Sequence, residues 1–277
     1  MKIFIDTANL EEIKKIAEEG LLEGVTTNPS LIKKEADRLK KNKIKVSLEQ
    51  HIINILKSAK NVPVSLEVVG LNYKEMISEG RKLYKKFNPV AKNVYIKIPV
   101  NPCLEEYCST SADGIKAIKT LSKEKIPVNC TLIFTPEQAL LAAKAGAKIV
   151  SPFVGREDDY IQEINRIKFK KEDYFPQKGI KKLNKILNDE GIRSGIHLIS
   201  ECRKIFDSSK IKNCEILAAS IRNKRQFREV AIAGADIATL PYEIIISLLN
   251  HHKSAEGMKN FTHDTIQEYT NLARGKK

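Results

Sequence analysis

The sequence predicts an α/β fold: a (β/α)8 TIM barrel with an extra C-terminal helix and insertions after strands four and six. Three observations carry this expectation. Eight short apolar runs recur along the chain, and runs of this kind suit strands buried on both faces of a parallel sheet. Each is followed by a stretch with helical periodicity, the alternation expected of βα units. The length of 277 residues suits one such barrel as a single domain. A doubly wound sheet is the runner-up, but no G-x-G-x-x-G turn follows the first run.

The strands are expected at Lys2–Asp6, Gly24–Asn28, Val64–Val69, Val94–Pro99, Val128–Phe134, Lys148–Val154, Glu215–Ser220 and Ile237–Leu240. Asn9 caps a helix over Leu10–Glu18, Pro29 opens one through Lys34, and another covers roughly Leu48–Ala59. Asn72 caps Tyr73–Lys86, and Ala112–Lys123 and Pro136–Ala145 follow strands four and five. Lys224–Ala233 and Tyr242–Asn250 complete the repeat, with Gly20, Gly146 and Gly234 as helix ends.

Three stretches look like additions. Residues 35–45 are charged, and 101–111 hold Cys103 and Cys108. Residues 157–213 are Lys-rich, with helical patterns near 179–188 and 197–207. After strand eight, Ser254-Ala255-Glu256 is an N-cap signal for an extra helix, expected to pack outside the barrel or on a neighbouring subunit. The expected organisation is one barrel domain over 1–277, with 157–213 as an extended insertion and 254–277 as a helical extension.

Composition narrows the function classes. A hydrophobic share of 42% is enough for a core, and no apolar stretch reaches transmembrane length. Met1 leads straight into Ile3-Phe4-Ile5 without a signal-peptide layout, so the expected location is the cytoplasm. The five cysteines, Cys103, Cys108, Cys130, Cys202 and Cys214, are scattered without a C-x-x-C pair and read as reduced thiols. The histidines lack metal spacing. The net charge of +14 would fit a nucleic-acid binder, but the lysines are spread along the chain and no nucleic-acid motif accompanies them. A solvated Lys-rich surface, which also draws in anionic substrates, explains the charge better.

The strand ends carry the chemistry. In a barrel they converge on the active site, and here they are polar beyond what folding requires. Lys97 lies in Val94-Tyr95-Ile96-Lys97-Ile98-Pro99. An ammonium in such a strand is costly unless paired or neutralised, and a neutral amine attacks carbonyls. Asp6 ends strand one, Thr27-Asn28 end strand two, and Glu67 interrupts apolar strand three. Strand five carries Asn129 and Thr131, strand six Ser151, Phe153 and then Arg156, and strand seven Ser220 followed by Arg222. Singly, each has a structural reading: a helix cap, a turn residue, an ion-pair partner or a surface charge. Together, an amine, two carboxylates, hydroxyls, amides and two arginines suit covalent carbonyl chemistry on a phosphorylated substrate.

These motifs resemble those of the transaldolases, in the small-transaldolase and fructose-6-phosphate-aldolase branch. The resemblance rests on Phe4-Ile5-Asp6-Thr7-Ala8-Asn9, Gly24-Val25-Thr26-Thr27-Asn28-Pro29-Ser30-Leu31, Tyr95-Ile96-Lys97-Ile98-Pro99, Ser151-Pro152-Phe153-Val154-Gly155-Arg156 and Leu217-Ala218-Ala219-Ser220-Ile221-Arg222, in family order. It implies a Schiff base on Lys97, a proton shuttle at Asp6, and a catalytic water held by Glu67 with Thr131. It implies hydroxyl recognition by Thr27, Asn28, Asn129 and Ser151 beside Phe153, and phosphate binding by Arg156, Ser220 and Arg222. It implies no cofactor and no metal, sugar-phosphate substrates, the non-oxidative pentose phosphate pathway, and a homo-oligomer of pentameric or decameric size.

Within the branch, Glu67 and Phe153 resemble transaldolases, whereas fructose-6-phosphate aldolases carry Gln and Tyr there. A Tyr hydroxyl can donate to the reacting fragment and Phe cannot, so dihydroxyacetone transfer is expected over free release. Two readings of another class are a basic nucleic-acid-binding protein and a non-catalytic scaffold barrel. The intact set Asp6, Glu67, Lys97, Asn129 and Arg156 speaks against the scaffold.

Overall fold

The computed structural model describes residues 1–105, 108–171 and 173–275. Residues 106–107, 172 and 276–277, which fall in the expected insertions and extension, lie outside the described residues. The first half runs β1 (Lys2–Asp6), α1 (Leu10–Glu18), β2 (Val25–Thr26), α2 (Pro29–Lys41), α3 (Leu48–Ser58), β3 (Val64–Glu67), α4 (Tyr73–Ala91), β4 (Val94–Pro99), α5 (Asp113–Lys123), β5 (Val128–Ile133) and α6 (Pro136–Ala145). The second runs β6 (Ile149–Pro152), α7 (Val154–Ile164), β7 (Lys181–Lys182), β8 (Lys185–Ile186), α8 (Gly195–Ser208), β9 (Glu215–Ala218), α9 (Lys224–Ile232), β10 (Ile237–Leu240), α10 (Tyr242–Leu248), α11 (His252–His263) and α12 (Gln267–Ala273).

Eight parallel strands close in the order β1-β10-β9-β6-β5-β4-β3-β2, as the alternation predicts. Side chains on a strand alternate between its faces, and the two faces build two cores. Ile5, Val25, Val64, Leu66, Ile96, Ile98, Cys130, Val150, Ile216 and Ala238 belong to the large layer between strands and helices. Phe4, Ile149, Leu217 and Ile237, with Tyr95 packed against them, fill the barrel interior. Two residues further along the same face stand Asp6, Ser151, Ala219, Thr239 and Lys97. The interior is therefore apolar at its base and mostly polar at the C-terminal mouth, and the change happens within single strands. A Cβ at Gly24 would run into the Phe4 ring, so glycine lets β2 close on this plug.

Register sets the site. Glu67 pairs with Lys97, Lys97 with Asn129, and Pro99 with Thr131. Asp6 pairs with Thr26 across the β1–β2 seam.

Several expectations need correction. The helix opened by Pro29 runs on to Lys41, so part of the charged stretch is helix, and its Glu35 is buried. That carboxylate accepts two hydrogen bonds from Arg38, at 2.7 and 2.8 Å. Residues 179–188 form the β7–β8 hairpin where a helix was expected. Leu183 and Asn184 adopt φ of 47° and 62° between its strands, the two-residue turn that right-twisted hairpins favour and Asn tolerates well. Helix α8, inside the expected insertion, packs on α6, α7, β6 and β9 and so covers the barrel.

The C-terminal extension is two helices, and the first begins before Ser254: His251 is its cap, with Nδ1 accepting from Lys253 N at 3.1 Å. Neither helix has a buried residue. The five cysteines are not all reduced thiols. Cys103 and Cys108 form a disulfide, whereas Cys130, Cys202 and Cys214 are free and buried. The loop after β4 brings the pair to a Cα–Cα distance of 6.1 Å, which spacing alone does not reveal.

Candidate active site

Lys97 is only 6% exposed. Its Nζ lies 3.1 Å from Glu67 Oε2 and donates to the Thr27 carbonyl at 3.2 Å. This pairing offsets the desolvation that would otherwise exclude an ammonium from a barrel strand. It also places a carboxylate within proton-transfer distance of the amine.

Asp6 shares the pocket with Lys97. Its carboxylate accepts from Thr26 Oγ1 at 2.7 Å, and that hydroxyl lies 2.6 Å from Thr239 Oγ1. Burial pushes the Asp6 pKa above the ordinary carboxylate range; the Thr26 hydrogen bond and the positive charges of Lys97 and Arg156 oppose it. A carboxyl raised in this way can exchange a proton nearer neutral pH than a surface aspartate.

On the neighbouring strands, Ser151 Oγ donates to Asn129 Oδ1 at 2.7 Å, and Asn129 Nδ2 donates to Ser65 Oγ at 3.1 Å. This buried chain fixes the Asn129 amide and with it the Ser151 rotamer. Thr131 is buried on the pocket wall, and its hydroxyl has no hydrogen-bond partner among the described residues. A hydroxyl so placed is costly unless a ligand or water meets it. Thr27 is turned away to the Ser65 carbonyl at 2.8 Å. Asn28 lines the pocket while its Oδ1 caps α2 through Leu31 N at 2.9 Å, leaving Nδ2 as the group able to meet a ligand.

The mouth carries positive charge. Phe153 stacks on Phe134 with centroids 5.7 Å apart, and the Arg156 guanidinium lies 4.9 Å from the Phe153 ring centroid. Arg156 is exposed and has no carboxylate partner among the described residues. Ser220 lines the same pocket in the left-handed region, φ 60°. Arg222 does not line it. Its guanidinium is held by both carboxylate oxygens of Asp159 and donates to the Lys171 carbonyl at 3.2 Å. Gly155 lets these parts meet: a Cβ there would lie 2.5 Å from the Ser220 carbonyl and 2.7 Å from Arg222 Nε.

Thus Asp6, Asn28, Lys97, Thr131, Ser151, Phe153, Arg156 and Ser220 line one pocket of about 450 Å³, open mouth included. Glu67, Thr27 and Asn129 touch its members from one layer further back, and Arg222 stands apart. Sequence reasoning passed over Thr26 and Thr239, which link strands one, two and eight beneath Asp6. Alternation holds the signal, since Thr239 stands two residues beyond the interior Ile237. Among the described residues, no group of three or more His, Cys, Asp or Glu side chains is arranged to hold a metal.

A buried amine beside a carboxylate, a second acid with raised pKa and a free guanidinium can together open a carbon–carbon bond next to a carbonyl in a phosphorylated substrate. The family model described as transaldolase/fructose-6-phosphate aldolase matches residues 3–274. A probable transaldolase of Nitrosopumilus maritimus is 40% identical over 264 residues, covering 95% of this chain and 94% of the relative. One from Clostridium botulinum is 42% identical, with 95% and 96% covered. One from Thermoplasma acidophilum is 39% identical, with 95% of both chains covered.

Proposed function

The chain belongs to the transaldolase/fructose-6-phosphate aldolase family, and within it we propose that Lys97 carries a three-carbon ketose fragment from a ketose phosphate to an aldose phosphate. The enzyme is a transaldolase of the non-oxidative pentose phosphate pathway. The observation that carries the residue assignment is buried Lys97, paired with Glu67 from behind and sharing one pocket with Asp6 and the unpaired Arg156.

In this reading Glu67 takes a proton from the amine, and Lys97 attacks C2 of sedoheptulose 7-phosphate or fructose 6-phosphate. Loss of water gives the imine. Asp6 removes the C4 hydroxyl proton as the C3–C4 bond breaks, and the imine takes up the electron pair as an enamine. The departing aldose phosphate is replaced by glyceraldehyde 3-phosphate or erythrose 4-phosphate, and the steps reverse. Glu67 and the unpartnered Thr131 hydroxyl hold the water that forms and hydrolyses the imine. Asn28 and Ser151 read hydroxyls, Asn129 holds Ser151 in place from behind, and Thr27 fixes the Lys97 end through its carbonyl. Arg156 and Ser220 take the phosphate, and Arg222, tied to Asp159, supports them from behind Gly155.

Phe153 favours transfer over release because its ring cannot donate to the enamine carbon or to the fragment's hydroxyls. Incubation with fructose 6-phosphate and erythrose 4-phosphate tests this. Sedoheptulose 7-phosphate should form in step with glyceraldehyde 3-phosphate, far faster than dihydroxyacetone appears without acceptor. Equal rates of fragment release with and without acceptor would instead identify an aldolase.

The same reading includes a homo-oligomer, pentameric or decameric. Met258 and Phe261 of α11 and Ile266, Tyr269 and Leu272 in and beside α12 are each more than 60% exposed. Large apolar side chains exposed on helices that bury nothing in their own chain suit a neighbouring subunit. Light scattering on the intact protein distinguishes ring sizes, and a monomer would remove this part of the reading. No helix among the described residues is long and apolar enough to cross a membrane.

A further inference from the structure

We propose that Cys103 and Cys108 form a reversible dithiol–disulfide site on the catalytic face, whose oxidation state tunes turnover through the loop between β4 and α5. The two sulfurs are bonded across a separation of five residues. The other three cysteines are buried, and burial pushes Cys202 and Cys214 up to about 12 and Cys130 well above its usual value. Thiols of that kind do not react. Cys108, by contrast, is exposed, and Thr110 Oγ1 lies 3.1 Å from its sulfur and 3.8 Å from that of Cys103. A hydroxyl between two sulfurs can donate to whichever becomes the thiolate.

The loop is fixed at both ends and joined to the site at one. Val100 N donates to the Thr131 carbonyl at 3.0 Å, and the Thr131 side chain lines the pocket. At the other end Asp113 Oδ2 accepts from Tyr73 N at 3.0 Å, and a Cβ on Gly114 would collide with the Pro99 and Val100 carbonyls. Between these anchors, Asn101 Oδ1 accepts from Cys103 N at 3.0 Å. Closing or opening the bond therefore changes how Cys103, in the stretch that leaves the Lys97 strand within three residues of the reacting amine, is tied to Cys108 and Thr110 ahead of α5. Closing a ring this short removes less unfolded-chain entropy than a long-range bridge would, and the barrel core is built without either cysteine.

The chemistry is thiol–disulfide exchange. The Cys108 thiolate attacks one sulfur of a low-molecular-weight disulfide such as oxidised glutathione and expels one thiolate. Cys103, deprotonated, attacks the mixed disulfide and expels the second. The protein loses two electrons and two protons, and the oxidant becomes two thiols. A dithiol reductant reverses both steps.

The test titrates folded wild-type protein against glutathione buffers, quenches in acid, and counts thiols by alkylation and mass after denaturation. Three thiols in the oxidised form and five in the reduced form are expected, with Cys103 and Cys108 mapped as the pair that changes. In transaldolase assays, kcat/KM should differ at least threefold between the two forms, and Cys103→Ser/Cys108→Ser should not respond to the buffer. Thermal melting should stay two-state in both forms. Five thiols at every potential, or a pair that millimolar dithiothreitol leaves closed in the folded protein, would overturn the site. A pair that cycles with no change in kcat/KM would overturn its effect on turnover. The thiol count is independent of the reaction assigned above.

Discussion

The barrel mouth and the first turn of α7 each hold carboxyls that burial has made reluctant to ionise, but they resolve that cost differently. At the mouth, Asp6 has the Thr26 hydroxyl and the nearby charges of Lys97 and Arg156 to favour its ionised form. On α7, Glu157 is fully buried and neither of its oxygens has a hydrogen-bond partner among the described residues. Burial, followed by the charges of Asp189 and Asp158, pushes Glu157 up to about 8. Asp158 beside it is pushed up to about 7 by burial, against hydrogen bonds from Gly195 N at 2.8 Å and Gln226 Nε2 at 2.9 Å. Both regions use the same physics. What separates the acid proposed for catalysis from a structural cost is whether fixed donors and counter-charges face the carboxylate from inside an open pocket.

Breaking the mouth should cost the most activity. Lys97→Met removes the nucleophile and should lower kcat by at least about 10³-fold, with no adduct forming. An unchanged circular dichroism spectrum would show that the loss is chemical.

Next comes Asp6→Asn, which keeps a hydrogen-bonding group but removes proton transfer, expected at about 10²- to 10⁴-fold in kcat. In the wild type Asp6 must ionise to take the C4 proton. Because its pKa is raised, kcat should fall as pH drops through a value above the ordinary aspartate range. A flat profile down to pH 4 would remove Asp6 from that role.

On α7 the effect should appear in stability and not in rate. A carboxyl whose folded pKa lies above its unfolded value favours the fold while it stays protonated. That contribution is lost as pH rises from the ordinary glutamate range through about 8. Glu157→Gln cannot ionise. Its Tm should match the wild type near pH 5 and exceed it near pH 9, and equal melting at pH 9 would contradict the contrast.

The smallest effect is expected from Phe153→Tyr. One new donor should shift the ratio of fragment release to transfer by about 1 kcal/mol, roughly fivefold.

The two regions were not equally legible in the sequence. Lys97 and Glu67 stand out because a charge in an apolar strand has few explanations, and the strands themselves follow from runs that survive shifts of a residue or two. Thr239 looks like an ordinary strand residue until the inward face is counted. Glu157 follows Arg156 in a charged run that reads as surface, yet it is buried on α7, a helix that packs against α8. The β7–β8 turn depends on left-handed Asn184 and Leu183, which helical periodicity does not register. Arg222 was grouped with Arg156 by motif, but Asp159, which claims its guanidinium, is a partner that sequence order does not identify.

The most direct test of Lys97 as the covalent centre is intact-protein mass after incubation with fructose 6-phosphate and borohydride, followed by peptide mapping. The account predicts one reduced three-carbon adduct per chain, on Lys97 and absent from Lys97→Met. No adduct in folded, active protein, or an adduct on another lysine, would contradict it.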